Sequence, residues 1–290
     1  MTGQEEVSAS ARPRVIAVLA CYNRRPLTLR CLRTLHEQAQ DIDLHVILFD
    51  DASSDGTGEA VRAEFPAVQI VEGDGNAFWG GGMHGAMSAA LEQQFDHILW
   101  LNDDVRLEPD AIEQLLAAEA DARAQDPKAL GHIILGAVTE PGSAAITYGG
   151  YLRRSRFSPV WLKKIGPIDG KLTPCDTMNG NIVLVPEAVA RKVGPNDPTF
   201  IQELGDLDYG YRAVKAGARI WIAPRPLGEC SFNPKSIKKT PPGNLRQRWR
   251  ALNTPHGLPI KSWRPFMWRH GGILGLVELG TIYAKRLTGL

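Results

Sequence analysis

Four runs of consecutive apolar residues punctuate the first hundred positions: "VIAVLA" (15–20), "LHVILFDD" (44–51, apolar until its last two residues), "VQIVE" (68–72) and "HILWL" (97–101). They lack the strict polar alternation of a half-exposed strand. Between them lie stretches with helical spacing, such as Leu27, Cys31, Leu32 and Leu35. Buried strands alternating with helices predict an α/β fold with a mostly parallel sheet covered on both faces. In such sheets ligands bind beyond the carboxyl ends of the strands. Asn23, Asp50-Asp51 and Asn102-Asp103-Asp104 fall at those ends, so three polar clusters are expected to meet along one edge.

The punctuation between the runs supports this reading. "SSDGT" supplies turn and cap chemistry for a short helix near 56–64, and Pro109 opens a helix through about Ala122. "GNAFWGGGMHGAMSAALEQQF" is expected as a Gly-rich loop feeding a helix. Farther on, "GHIILGAV" (131–138), "NIVLVP" (181–186) and "ARIWIAP" (218–224) are predicted strands. "YLRRSRFSPVWLKK" (151–164) is expected as a basic, aromatic loop. Helices are predicted near 187–193 and over "GDLDYGYRAVKAG", with Gly217 ending the latter.

Composition narrows the class. The 290 residues carry 33 Lys/Arg against 32 Asp/Glu and have ample apolar content for one large core. No apolar run reaches the roughly 18 residues needed to span a bilayer, and the first fourteen residues are expected as a loose tail without a secretory segment. Cys21, Cys31, Cys175 and Cys230 form no CxxC or zinc-like group, as expected of a cytoplasmic protein with reduced thiols. The charge is unevenly placed. Residues 235–290 hold eleven Lys/Arg and one acid, Glu278, which leaves 22 against 31, a net of −9, for residues 1–234. A basic tail interleaved with Trp249, Trp263, Phe266 and Trp268 suits a phosphate-rich ligand or an anionic membrane, while the acidic body argues against nucleic acid.

Each polar cluster has a chemical and a structural reading. Asn102-Asp103-Asp104 could hold a hard divalent cation, which relieves the repulsion between the acids, or could simply favour the helix at Pro109. Asp51 could accept from a nucleobase N–H or bind a ribose hydroxyl; the alternative is Asx-turn chemistry in "DASSDGT". Gly81 and Gly82 in "FWGGGMHGA" could let backbone N–H groups approach a ligand, with His84 as a polar lining residue, or could serve only helix packing. Asp206 and Asp208 stand about 200° apart on a helix, so one can be a general base while the other caps the helix or pairs with Arg212; the alternative is a helix start decorated with acids. The helix dipole is expected to hold the base ionised.

In this order and spacing, "VIAVLACYNRR", "VILFDDASSDGT", "GNAFWGGGMHGA", "ILWLNDDVRLEPDAI", "NGNIVLVPEAV" and "FIQELGDLDYGYRAVKAGARIWIAP" resemble the family 2 glycosyltransferases, nucleotide-sugar-dependent enzymes of the GT-A fold. The resemblance covers residues 15 to about 231. It implies a Rossmann-like nucleotide-sugar-binding half (15–125), an acceptor half of the same domain (126–232) and a C-terminal extension (233–290) acting as a lid and packing on the domain or the membrane. It further implies Ala20, Tyr22 and Asn23 near the nucleoside, Asp51 on the base, Asn102 in the nucleotide site where relatives often have an acid, and Asp103 toward the donor sugar or its ribose. Asp104 would ligate Mn²⁺ or Mg²⁺, and Asp206 would be the base of an inverting transfer. Gly205 stands where many relatives have Glu, and Cys230 lies near a position where some carry a metal-binding His.

Arg246 and Arg248 are expected to stabilise the leaving diphosphate, beneath a Lys-rich lid at 235–244. The implied partners are a UDP- or dTDP-sugar donor and a glycan or lipid-linked glycan acceptor. An anionic membrane surface is a further expected partner of residues 245–290, through a helical face of Ile273, Leu276, Gly280, Tyr283 and Leu287. The rival expectation is a nucleotide-binding module of the same fold without catalysis.

Overall fold

The computed structural model describes residues 12–38, 42–232 and 241–289. Most of the expected N-terminal tail and of the Lys-rich lid therefore lies outside the described residues.

The N-terminal half alternates as its apolar runs require: β1 (Arg14–Cys21), α1 (Arg25–His36), β2 (Asp43–Asp50), α2 (Thr57–Glu64), β3 (Gln69–Glu72), α3 (Phe78–Leu91) and β4 (His97–Leu101). A short β5 (Arg106–Leu107) precedes α4 (Ala111–Gln125). Then follow β6 (His132–Leu135), β7 (Val138–Thr139) and β8 (Ile146–Tyr148). A hairpin comes next, β9 (Gly150–Ser155) and β10 (Ser158–Ile165), and then β11 (Thr173–Cys175), β12 (Ile182–Pro186) and α5 (Glu187–Val193). The chain continues through α6 (Gly205–Lys215), β13 (Arg219–Ile222) and β14 (Gly228–Glu229) to α7 (Leu245–Leu252) and α8 (Ile260–Thr288).

Eight strands form one sheet in the order β11-β13-β6-β12-β4-β1-β2-β3, so both halves of the chain share a core. β1 is parallel to β2 and β4, whereas β12 runs antiparallel to β4, with Ile182 opposite Leu101. That reversal matters for the site. It brings the residues just before β12, Asn179 to Asn181, to the edge where β1, β2 and β4 end. Apolar clusters fill both faces of the sheet, and Trp100, Ile16 and Leu19 are fully buried. Each such side chain contributes roughly 1.5–3 kcal/mol.

Two sequence expectations are corrected here. "FWGGGM" is the first turn and a half of α3 itself. A Cβ on Gly82 would lie 2.7 Å from the Ala20 Cβ, one on Gly85 2.6 Å from the Phe49 ring, and one on Gly80 would collide with the Phe200 carbonyl. Close packing is therefore what these glycines permit. The basic segment 151–164 is a hairpin, with Leu152 opposite Lys163. Its period-two pattern is masked in sequence because cations and aromatics share its outer face.

The C-terminal extension packs on the domain. Phe266, Met267, Leu279 and Tyr283 of α8 join Leu252, Phe200 and Tyr211 in a separate apolar cluster. α8 bends at Gly272 (φ 58°), and its buried stripe runs through Gly275, Leu279 and Tyr283. Of the expected face, Tyr283 is buried and Leu276 and Leu287 are partly so, but Ile273 is 71% exposed and Gly280 lies outside. No helix among the described residues is long and apolar enough to cross a membrane.

Candidate active site

The strand ends open into a cleft of about 830 Å³. Its lining includes the polar side chains of Asp51, Asp103, Asp104 and Arg24, the largely apolar ones of Tyr151, Leu162, Leu258 and Trp263, and Asp206. The rim stores backbone strain. Asn23, Ala52, Phe78 and Leu204, the non-glycine residues with positive φ among those described, either line the cleft or adjoin residues that do.

Asp51 is buried at the end of β2, and its carboxylate accepts backbone N–H groups from Gly75, Ala77 and Phe78 at 2.9, 3.2 and 3.0 Å. It thereby pins the start of α3. The Asx-turn role belongs to its neighbour Asp50, which accepts from Ser53 N–H at 3.0 Å. Ala20 and the half-exposed Tyr22 border the cleft beside Asp51. Asn23 is not among the lining residues; its side-chain oxygen accepts from Ser54 N–H at 2.7 Å and braces the neighbouring loop.

Asn102 is a joint between elements. Its oxygen accepts from Trp79 Nε1 at 2.8 Å, and its Nδ2 donates to Asn181 Oδ1 at 2.8 Å. Asp103 and Asp104 are bridged by one side chain, Arg24, that the sequence did not single out. Arg24 donates from its two terminal nitrogens to Asp103 at 2.8 Å and Asp104 at 2.6 Å. The Cys230 thiol donates to the other Asp104 oxygen at 3.4 Å. Burial, and then the Asp104 charge, push that thiol up to about 12, so it stays protonated and is a poor ligand for a hard cation.

Whether this corner suits a divalent metal can be tested on its charges. Among the described residues no three His, Cys, Asp or Glu side chains are grouped to cage an ion. Adjacent carboxylates repel a diphosphate unless cations stand between them and it, and Arg24 already spans both. The corner thus fits an ion of the Mg²⁺ or Mn²⁺ type, held by one or two carboxylates with phosphate and water completing its shell, provided Arg24 releases Asp104.

At the start of α6, Asp206 accepts from Leu207 N–H at 2.8 Å and Gly180 N–H at 3.3 Å. Burial outweighs these N–H groups and pushes its carboxyl up to about 6. The helix dipole alone predicted the opposite direction. Asp208 points the other way, as the helical spacing requires. It is fully buried, pairs with Arg212 and also binds Arg269 and His270 of α8, each at 2.7–2.8 Å.

Several expected residues stand apart. His84 donates from Nδ1 to the Asn196 carbonyl at 2.6 Å, and neither it nor Gly81 or Gly82 is among the lining residues. Arg246 is exposed on α7, and Arg248 donates to Leu287 O at 2.7 Å near the end of α8. The cation that the extension does contribute to the cleft is Arg286. Trp79, Tyr151 and Asn179 also line it without having been singled out, as does Trp263 from the aromatic tail. α3 brings Trp79, β9 brings Tyr151, the register of β12 brings Asn179 and the seat of α8 brings Trp263.

An eight-stranded α/β sheet with helices on both faces and an acid-lined cleft at its strand ends is the architecture of the GT-A glycosyltransferases. Solved structures bear this out at the level of fold. The mannosyltransferase PcManGT of Pyrobaculum calidifontis, in complex with GDP-Man and Mn²⁺, aligns with a TM-score of 0.52 at 16% identity, over 95% of this chain and 76% of that one. S. aureus TarS aligns with a TM-score of 0.54 at 13% identity, over 77% of this chain. This chain spans 60% of the TarS 1–349 chain and 37% of the longer one.

Residues 16–127 match the family model described as Glycosyl transferase family 2. A curated relative, the N-acetylglucosaminyl-diphospho-decaprenol L-rhamnosyltransferase of Mycobacterium tuberculosis, is 24% identical over 229 residues, 71% of each chain. Over these stretches the chain is similar to the family 2 glycosyltransferases.

Proposed function

We propose that the protein transfers a sugar, with inversion, from a UDP- or dTDP-sugar to a hydroxyl of a glycan or lipid-linked glycan, with Asp206 as general base. The observation that carries this reading is the Asp206 carboxylate, fixed by two backbone N–H groups in the cleft and tuned to about 6. A base with that affinity is ionised at neutral pH yet basic enough to take a proton as the acceptor oxygen attacks. The acceptor O–H bond breaks toward Asp206 while the new C–O bond forms. The sugar–phosphate bond breaks on the opposite face, and its electron pair leaves with the diphosphate.

Ala20 and Tyr22 would border the nucleoside, with Asp51 keeping one face toward the base while it anchors α3. Asp103 would face ribose or donor sugar. Asp104, with Asp103 beside it, would hold a divalent cation, whose chemistry is to neutralise charge on the leaving diphosphate. Arg24, once released from Asp104, and Arg286 are the cations placed to meet the remaining charge. A lipid-linked acceptor is favoured because the mycobacterial relative is named for one, and because Leu162, Leu258 and Trp263 give part of the cleft an apolar lining.

The test is a panel of UDP-, dTDP- and GDP-sugars screened by thermal shift and transfer assay with Mn²⁺ or Mg²⁺. Asp206→Asn is expected to lose transfer and keep donor binding. Near-normal transfer by that variant places the base elsewhere, and a panel without any bound donor removes the reading.

A further inference from the structure

The hairpin and the distal part of α8 are locked into one surface. Arg153 donates to Ser158 O at 3.1 Å, Arg156 O at 2.7 Å and His270 O at 2.8 Å, just before the bend at Gly272. The Ser158 hydroxyl donates to Glu278 at 2.7 Å, and Gly271 backs onto Pro159. Leu152, Phe157 and Trp161 of the hairpin and Ile273, Leu274 and Val277 of α8, the two elements this seam joins, are exposed. These are six of the twelve large apolar side chains exposed among the described residues. Among the described residues, nothing covers them.

Their electrostatic setting selects the partner. Residues 150–165 contain five Lys/Arg and no acid; residues 260–288 contain five Lys/Arg and only Glu278, whose carboxylate faces Ser158 in the seam. Arg154, Arg156 and Lys163 are exposed around the apolar group. Clustered apolar and aromatic side chains fringed by cations suit an anionic lipid surface, where the rings sit at headgroup depth and the cations meet phosphate. The opposite side of the hairpin carries Tyr151, Val160 and Leu162, which line the cleft. Seating the outer side on a bilayer therefore holds the cleft wall directly above it.

We infer that the β9–β10 hairpin and the α8 segment beyond Gly272 form a docking face for anionic membranes, which places the acceptor end of the cleft beside the lipid surface. This goes beyond sugar transfer, and it is tested without donor, so either reading can fail alone. The full chain is co-sedimented with phosphatidylcholine vesicles, with and without one third phosphatidylglycerol, at low and high salt. Binding to the anionic vesicles only, weakened by salt, is expected. Trp161→Ser/Ile273→Ser/Val277→Ser and, separately, Arg154→Glu/Arg156→Glu should each lower partitioning at least about tenfold while the melting temperature holds. Leu245→Ser/Trp249→Ser on α7, the other exposed apolar and basic group, should bind like the wild type. The inference is overturned if the wild type ignores anionic vesicles, if either hairpin–α8 variant binds undiminished, or if the α7 variant is the one that loses binding. It is equally overturned if light scattering shows that this face joins two copies of the chain and vesicles do not compete.

Discussion

Replacing Asp206 by Asn separates what this carboxylate does for chemistry from what it does to stability. Burial lifts its pKa from the ordinary 3.8 to about 6. That rise, roughly two pH units, corresponds to about 3 kcal/mol by which folding disfavours the ionised form. The raised affinity contributes stability that is fully present below 3.8 and is lost as pH rises through about 6. Asn is neutral throughout, so it escapes the loss. Its amide cannot accept equally well from both Leu207 and Gly180, which takes back about 1 kcal/mol. The variant should therefore be about 2 kcal/mol more stable than the wild type at pH 8, or several degrees in melting temperature. The gap should close as pH falls toward 4. Thermal melts of both proteins between pH 4.5 and 8 measure it, and the transfer rate of the wild type should fall tenfold per pH unit below about 6. A stability gap that does not change with pH, or an acid limb displaced to about pH 4, the range of an unperturbed carboxylate, refutes the reasoning.

Arg24→Met leaves Asp103 and Asp104 unbridged and should cost about 3 kcal/mol in a melt; Mn²⁺ should then raise the melting temperature more in the variant than in the wild type, and equal shifts would show that Arg24 and the ion do not share Asp104. Asp208→Asn should cost about 3 kcal/mol at neutral pH by unpairing the largely buried Arg212 and leaving Arg269 with Asp197 as its carboxylate partner. Burial raises the Asp208 pKa, but hydrogen bonds from His270, Arg212 and Arg269 outweigh it and hold it below the ordinary value. Its stabilisation is thus present above about pH 4 and lost as pH falls through the depressed value, so in the melts the two proteins should converge only in strong acid. Gly80→Ala, which drives a Cβ into the Phe200 carbonyl, should destabilise by about 3 kcal/mol or fail to fold, while Gly81→Ala should change stability and donor KM little. A large rise in donor KM for Gly81→Ala would return that glycine to the ligand site.

The alternation of apolar runs with helical spacing was enough to expect a parallel sheet and to collect Asp51, Asp103 and Asp104 at its strand ends, because both patterns are local. Helical geometry likewise separated Asp206 from Asp208 and paired the latter with Arg212. The "NGNIVLVPEAV" segment was legible as a strand, but its direction was not, so the arrival of Asn179 and Gly180 beside Asp206 could not be read from it. Nor could the glycines of α3 be assigned, since whether a missing Cβ serves a ligand or a neighbouring strand depends on what lies across the gap.

The linear pattern by itself determined the fold class, the strand ends and the divergence of the two acids on α6, for these follow from residue type and fixed periodicities. Tertiary structure alone decided that Arg24 bridges the acid pair, that Arg286 rather than Arg246 or Arg248 reaches the cleft, and that Asp206 titrates near 6. Contacts between residues scores of positions apart, and the water that packing excludes, set charge pairing and proton affinity, and neither is written in any local stretch of the chain.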